Sequence, residues 1–388
     1  MLKQTNHILK RLKEREELGL LRKLPKIDWE PLDFFSNDFL GFSKDRDLKN
    51  QVDKTFQNIA NSMDKKAPIL GSTGSRLISG NHCFIDHLES KLSDYHKSKA
   101  SLICNSGYLA NYALLSTLPQ SDDLIILDEH IHASLREGAL NSPAQVVHFK
   151  HNDLKHLKTQ ILRHQLGCQN IYITVNTIYS TGGKPAPLLE LTKLSQLFNA
   201  KLIVDEAHAT GVKGEQGLGL VEEYQLEDQI DIRIHTFGKA LGACGAVILC
   251  PEEIKNYLIN FSKPFIYSTA LPLYNYVLID QVYIKNMQSS SLRKKLNQNI
   301  DFFTTKALEM NLISEASDCA IQTLEIKNLC EGKRLESILL KNKIQIALLM
   351  PPTTRRQQVL VRICLHASHS KEQIDKLLAV IASFRESL

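Results

Sequence analysis

The chain has 388 residues, 43% of them hydrophobic and 23% charged, with a formal net charge of +5. This is the balance of a soluble globular protein too long for a single typical core. The diffuse basic excess lacks the basic–aromatic stripe of a nucleic-acid binder, and no run of about 18 apolar residues suggests a membrane span.

The eight cysteines lack C-x-x-C spacing, so they indicate neither a zinc site nor a disulfide framework, and reduced thiols fit a cytoplasmic enzyme. Glu14, Glu16 and Glu17 and the absence of an apolar leader core argue against a targeting segment. Residues 3–20 place Ile8, Leu9 and Leu12 among charges, which predicts an amphipathic helix. Pro25 and Pro31 then predict an extended arm ending at residues 34–38.

From about residue 45 to 270 short apolar runs alternate with helical patterns. Strands are expected at Ser101–Cys104, Leu124–Leu127, Val146–Phe149, Ile171–Val175, Leu202–Asp205, Ile232–Thr236 and Ala246–Cys250. Helices are expected between them, as at Ile85–His96, Tyr108–Leu118 and Leu188–Phe198. This alternation predicts an α/β fold with a mainly parallel sheet covered on both faces. After Pro272 a long helix leads to a smaller α/β region with strands at Ile321–Ile326, Ile344–Leu348 and Val359–Leu365 and a helix at Lys371–Phe384. The expected division is an N-terminal helix and arm over 1–44, a large domain over 45–285 and a small domain over 286–388.

Asp205-Glu206-Ala207-His208 closes one apolar run, and Thr236-Phe237-Gly238-Lys239 closes another. Groups at the carboxyl ends of parallel strands converge on one crevice. An Asp and a Lys meeting there suit pyridoxal phosphate, whose aldehyde a lysine holds as a Schiff base and whose ring nitrogen an acid keeps protonated. Read as letters, Asp205–His208 is also the acidic box of a helicase. That function needs an upstream G-x-x-x-x-G-K-[ST] loop, and neither Gly182-Gly183-Lys184 nor Gly238-Lys239-Ala240 supplies one.

Ser106-Gly107-Tyr108 follows a strand and opens a helix, where free N–H groups suit a phosphate or simply make a packed turn. The glycine-dense loop Gly71–Gly80 lacks G-x-G-x-x-G and reads equally as a surface loop. His132 follows another strand, where it suits either a flat ring or a helix start. His366 and His369 lack a third ligand and do not read as a metal site.

With these residues placed, the chain resembles the α-oxoamine synthases, fold-type I pyridoxal-phosphate enzymes that condense an amino acid with an acyl thioester. The resemblance spans nearly the whole chain, including Ser36–Gly41, Gly71–Gly80, Ser106–Tyr108, His132–Ser134, Asp205–His208, Thr210–Val212, Thr236–Lys239, Tyr267–Thr269 and Arg362. It implies that Lys239 bonds the cofactor aldehyde, Asp205 pairs with the ring nitrogen, and Ala207 and His132 cover the ring faces. It further implies that His208 and Ser180 approach the phenolic oxygen, while Ser106, Gly107, Tyr108 and Thr236 hold the phosphate.

Ser268 and Thr269 would come from a second subunit of a homodimer. Asn37 and Arg362 would bind the amino-acid carboxylate, and Arg22 the acyl end. His132 and His208 join Lys239 and Asp205 as candidate catalytic groups. The loop Gly74–Gly80 looks most like the member that joins alanine to a pimeloyl thioester in biotin formation. A synthase using glycine or serine, and a degenerate paralogue acting as a binding partner, are the alternatives. The family pattern is broken at Asn176, Gly182, Lys184, Ala209 and His235.

Overall fold

The computed structural model describes residues 6–24, 28, 30–351, 353–354 and 358–388. The chain forms two compact units: Asn37–Ser180 with Lys184–Leu296, and Met1–Ser36 with Thr181–Gly183 and Asn297–Leu388. Residues 3–5 of the predicted N-terminal helix, and Pro25, lie outside the described residues.

The larger unit is built on a seven-stranded sheet. Its spatial order is Ala100–Cys104, Ala246–Cys250, Ile232–Thr236, Lys201–Asp205, Ile171–Asn176, Leu124–Asp128 and Gln145–Phe149. The last five pair in parallel, whereas Ala246–Cys250 runs antiparallel to both neighbours. The reason is connection length: a parallel return needs a crossover of a dozen or more residues, and the chain returns through the short segment 237–245. Phe237 N–H donates to the Gly245 carbonyl (3.0 Å), and Ala243 N–H donates to that of Phe237 (2.8 Å), closing the turn that carries Lys239.

Leu124–Asp128 and Ile171–Asn176 are buried at every position, as strands covered on both faces must be. The edge strand Gln145–Phe149 buries only Phe149 fully. Ile125, Leu127, Ile203, Ile234 and Ile248 form the centre of one apolar cluster, each contributing about 1.5–3 kcal/mol by leaving water. The helices start on side-chain caps: Asp45 accepts from Leu48 N–H (2.9 Å), Ser106 from Leu109 N–H (3.1 Å) and Asp153 from His156 N–H (2.9 Å).

The Gly71–Gly80 loop owes its glycines to packing. A Cβ on Gly80 would stand 2.4 Å from the Gly74 carbonyl oxygen and 2.7 Å from Ala270 Cβ. Arg76 anchors the loop on the buried carboxylate of Glu89, which also accepts from Ile103 N–H (2.8 Å) and pairs with Lys255 (3.1 Å).

In the smaller unit the strands Ala347–Leu349, Val359–Cys364 and Ile321–Ile326 form an antiparallel sheet in that order. The single strand expected over Ile344–Leu348 is broken. Ile344–Gln345 pairs in parallel with Leu32–Asp33 of the arm, while Ala347–Leu349 pairs antiparallel with Val359–Cys364. Two neighbours of opposite sense divide the run at Ile346.

His366 and His369 hold the arm here. The ring Nε2 of His366 bonds the Ser36 carbonyl (3.1 Å), and that of His369 bonds the Asp33 carbonyl (2.9 Å). Phe34 stacks on His369 at 4.0 Å. The helix Asn6–Glu17 buries none of its residues. Among the described residues no helix is long and apolar enough to cross a membrane.

Candidate active site

The parallel strands deliver their carboxyl ends to one cavity of about 350 Å³ in the larger unit, within the size range of small-molecule sites. It brings together Asn37, Ser106, Gly107, Tyr108, His132, Ser180, Asp205, Ala207, His208, Thr236 and Lys239. Asn111, Asn176, Gly238 and Ala243–Gly245 complete the lining. Every pocket residue named from the sequence at a strand's carboxyl end is therefore in one place.

One end of the cavity is a helix N-terminus. Gly107–Thr117 begins there with its first N–H groups free of intrahelical partners. A Cβ on Gly107 would come within 2.4 Å of Thr236 Cγ2, so glycine is what lets the helix start lie against Thr236. Thr236 Oγ1 is buried and has no partner within the described residues. A free helix start, a missing Cβ and an unpaired hydroxyl make a cradle with the chemistry of a phosphate site.

Asp205 also lines the cavity and is 2% exposed. Its Oδ1 accepts from Ala207 N–H (2.9 Å) and its Oδ2 from Asn111 Nδ2 (2.8 Å). The adjacent Glu206 belongs to a different environment. Successive strand-end side chains diverge, and Glu206 accepts from Val221 N–H (2.7 Å), Leu220 N–H (3.1 Å) and Thr177 Oγ1 (2.9 Å). Burial pushes its carboxyl up to about 7, against the lowering effect of those bonds. The two acids thus do not share a site, as a metal-binding acidic pair would require.

His132 lines the cavity and caps the helix Ala133–Leu140. Its N–H donates to Asn176 Oδ1 (3.0 Å), and its Nδ1 lies 2.7 Å from Ser134 Oγ. Solvent reaches the ring from the cavity, yet the surrounding walls lower its pKa by desolvation. Asp205 opposes that shift, and Lys239 and Arg136 reinforce it.

The remaining predicted residues lie elsewhere. Thr269 is exposed and forms a β-bridge to Ser75, and its carbonyl accepts from Asn105 Nδ2 (2.6 Å); neither it nor Ser268 lines the cavity. Arg22 and Arg362 belong to the smaller unit, where Arg22 donates to Thr353 Oγ1 (3.1 Å) and Arg362 stands on Val359–Cys364, 3.4 Å from Cys364 Sγ. Sequence reasoning gave no role to Asn111 or Ser134. The signal for Asn111 was its place four residues after Gly107, on the same helix face.

The residues present fit pyridoxal phosphate. The helix-start cradle, the buried carboxylate and the lysine line one cavity together with Ala207 and His132. Among the described residues no group of three or more His, Cys, Asp or Glu could hold a metal ion.

A sequence profile of aminotransferase class I and II matches residues 30–381. The chain is 33% identical to 8-amino-7-oxononanoate synthase of Emericella nidulans, over 97% of this chain and 95% of that one. It is 30% identical to the enzyme of the same name from Hydrogenovibrio crunogenus, again over 97% and 95%. Among solved structures, 8-amino-7-oxononanoate synthase from Francisella tularensis has a TM-score of 0.76 at 28% identity, covering 93% of this chain and 99% of that one. Sphingomonas wittichii serine palmitoyltransferase superposes with a TM-score of 0.87 at 24% identity, covering 100% and 98%. The higher score of the latter speaks to the fold alone; the nearly full-length similarity to the synthases speaks to chemistry.

Proposed function

The chain belongs to the aminotransferase class I and II family, and from that premise we propose that it is a pyridoxal-phosphate-dependent 8-amino-7-oxononanoate synthase of biotin biosynthesis. The net reaction joins the alanine Cα to the pimeloyl carbonyl carbon, breaks the thioester C–S bond and releases the alanine carboxyl group as CO2. The observation that carries this reading is the convergence of Lys239, Asp205 and the Gly107–Thr236 cradle on one cavity, in a chain 33% identical over nearly its full length to a synthase of that name.

Pyridoxal phosphate, when bound, supplies an electron sink for the carbanion left as the alanine Cα proton departs. Lys239 Nζ would hold the cofactor covalently at rest and, with its amine freed once alanine takes that place, would accept the Cα proton as general base. Asp205, held by Asn111 and Ala207, would keep the ring nitrogen protonated. Ser106, Gly107, Tyr108 and Thr236 would bind the phosphate, and Ala207 and His132 would cover the ring. His208 and Ser180 would approach the phenolic oxygen. His132 donates a hydrogen bond to the thioester carbonyl oxygen and stabilises the negative charge that gathers there. Asn37 meets the alanine carboxylate at the cavity wall. The family resemblance assigns Arg362 to the same carboxylate and Arg22 to the acyl end.

The working assembly is a homodimer in the cytoplasm. Leu70 (87% exposed), Ile78 (85%) and Tyr267 (80%) put large apolar side chains on the loop and the segment joined by the Ser75–Thr269 bridge. Covering them with a second copy would bury that surface and offer Ser268 and Thr269 to the other copy's phosphate. All eight cysteines are free thiols, as a reducing compartment permits.

The test is incubation of the purified protein with pyridoxal phosphate and pimeloyl-CoA against alanine, glycine and serine. Alanine-dependent release of free thiol and CO2 with formation of the aminoketone is expected. Preference for glycine or serine, or failure to consume the pimeloyl thioester, refutes the substrate assignment.

A further inference from the structure

We propose that Asn111 and Ser134 are positioning residues that lock His132 with its ring proton on Nε2, making it a ready donor from the cavity wall. The inference rests on the functional reading above only for what His132 donates to; the lock itself follows from hydrogen-bond polarity.

The chain of constraints begins at Asp205. Its carboxylate can only accept, so the Asn111 amide must present its NH2 group there, and the 2.8 Å contact from Nδ2 to Oδ2 does so. The second hydrogen of the same Nδ2 points to Ser134 Oγ at 3.0 Å. Both groups are buried, Asn111 at 2% exposure and Ser134 at 0%, so no water competes for these bonds. The Asn111 Oδ1 has no partner within the described residues, so nothing on that side would reward the inverted amide.

Because Ser134 Oγ receives a hydrogen from Asn111, its own hydrogen is free to donate. The acceptor within reach is His132 Nδ1 at 2.7 Å. The backbone N–H of Ser134 donates to the same nitrogen at 3.3 Å. Two donors aimed at Nδ1 make it an acceptor, and the proton of a neutral imidazole then belongs on Nε2. That nitrogen has no hydrogen-bond partner among the described residues, while the ring lines the cavity. A third contact, from the His132 backbone N–H to Asn176 Oδ1, fixes the main chain from which the ring projects. Desolvation lowers the His132 pKa, which favours the neutral ring that such a lock requires. The asparagine therefore ties two functions together: the amide orientation that satisfies Asp205 also dictates, through one hydroxyl, which face of the imidazole carries the proton.

The test is histidine-selective 15N NMR on the holoenzyme and on the cofactor-free chain, with the His132 signals assigned by their loss in His132→Asn. The wild-type protein should show His132 as the Nε2–H tautomer in both forms. In Ser134→Ala and, independently, Asn111→Ala, the Nδ1–H fraction should rise several-fold, because one donor to Nδ1 is removed or set free to rotate. In Ser134→Ala, kcat should fall by more than KM changes. An Nδ1–H tautomer in the wild-type protein overturns the proposal without any variant needing to fold. Unchanged tautomer populations in a folded Ser134→Ala protein also overturn it. Failure of the substrate assay with the tautomer confirmed would instead count against the functional reading.

Discussion

Gly107→Ala separates two accounts of one glycine by the sign of its effect. If Gly107 were merely the first residue of a helix, alanine would reduce the entropy lost on folding and stabilise the protein by about 0.5–1 kcal/mol. The structure dictates the opposite. The new Cβ would lie 2.4 Å from Thr236 Cγ2 and 3.4 Å from Thr236 Cβ, whereas carbon atoms rest about 3.5–4.0 Å apart.

Thr236 ends a central strand and is branched at Cβ, so it relieves the clash by changing rotamer or by moving the helix start. Overpacking of this kind costs about 1–3 kcal/mol. Either adjustment also displaces Thr236 Oγ1 or the N–H groups opposite it. Loss of one hydrogen bond to a charged group, about 1.5–3 kcal/mol, corresponds to roughly 10- to 150-fold weaker cofactor binding. Urea unfolding of the cofactor-free protein measures the first quantity, and equilibrium dialysis against pyridoxal phosphate the second. A variant that is more stable and binds the cofactor equally well would refute the close-approach argument.

Lys239→Ala should leave cofactor held only non-covalently, so borohydride reduction and peptide mapping should label Lys239 in the wild-type protein and no lysine in the variant; a label on Lys184 or Lys213 would reject the assignment. Asp205→Asn should stay folded to within about 1 kcal/mol, because the Asn111 amide can invert to offer its unpaired Oδ1. It should nevertheless lose turnover by several orders of magnitude, since an amide cannot hold the ring nitrogen cationic; near-normal kcat would reduce Asp205 to a strand-end cap. Glu206, with its carboxyl raised from 4.5 to about 7, contributes stability that is fully present at low pH and is lost as pH rises through that interval, on the order of 3 kcal/mol in all. The difference in unfolding free energy between the wild-type protein and Glu206→Gln should therefore vary between pH 4.5 and 7, and parallel pH curves would contradict it.

The central strands were legible in the residues because Leu124–Leu127, Ile171–Val175 and Leu202–Asp205 are short apolar runs. A sheet covered on both faces makes no other demand on its interior strands. Lys239 and Asp205 were legible for a related reason: a charged group closing such a run has to emerge at the sheet's carboxyl edge. The family motifs then supplied the chemistry that periodicity lacks.

What the residues in order did not contain was contact across long separations. The spatial order of the seven strands depends on which edges meet after the crossovers have closed. The division of Ile344–Leu349 between two partners is likewise decided by the arm and by Val359–Cys364. The bond from Asn111 to Asp205 joins residues 94 positions apart, and although Asn111 lies one turn after Gly107, nothing local marks Asp205 as its partner. Composition and periodicity determined the strands, their burial and the two charged groups at their ends, because these are local demands of a covered sheet. Only the tertiary structure decided that Gly107 must clear Thr236, that Glu206 turns away from Asp205, and that Asn111 links the carboxylate to His132. Those relations exist only once distant segments share one small volume.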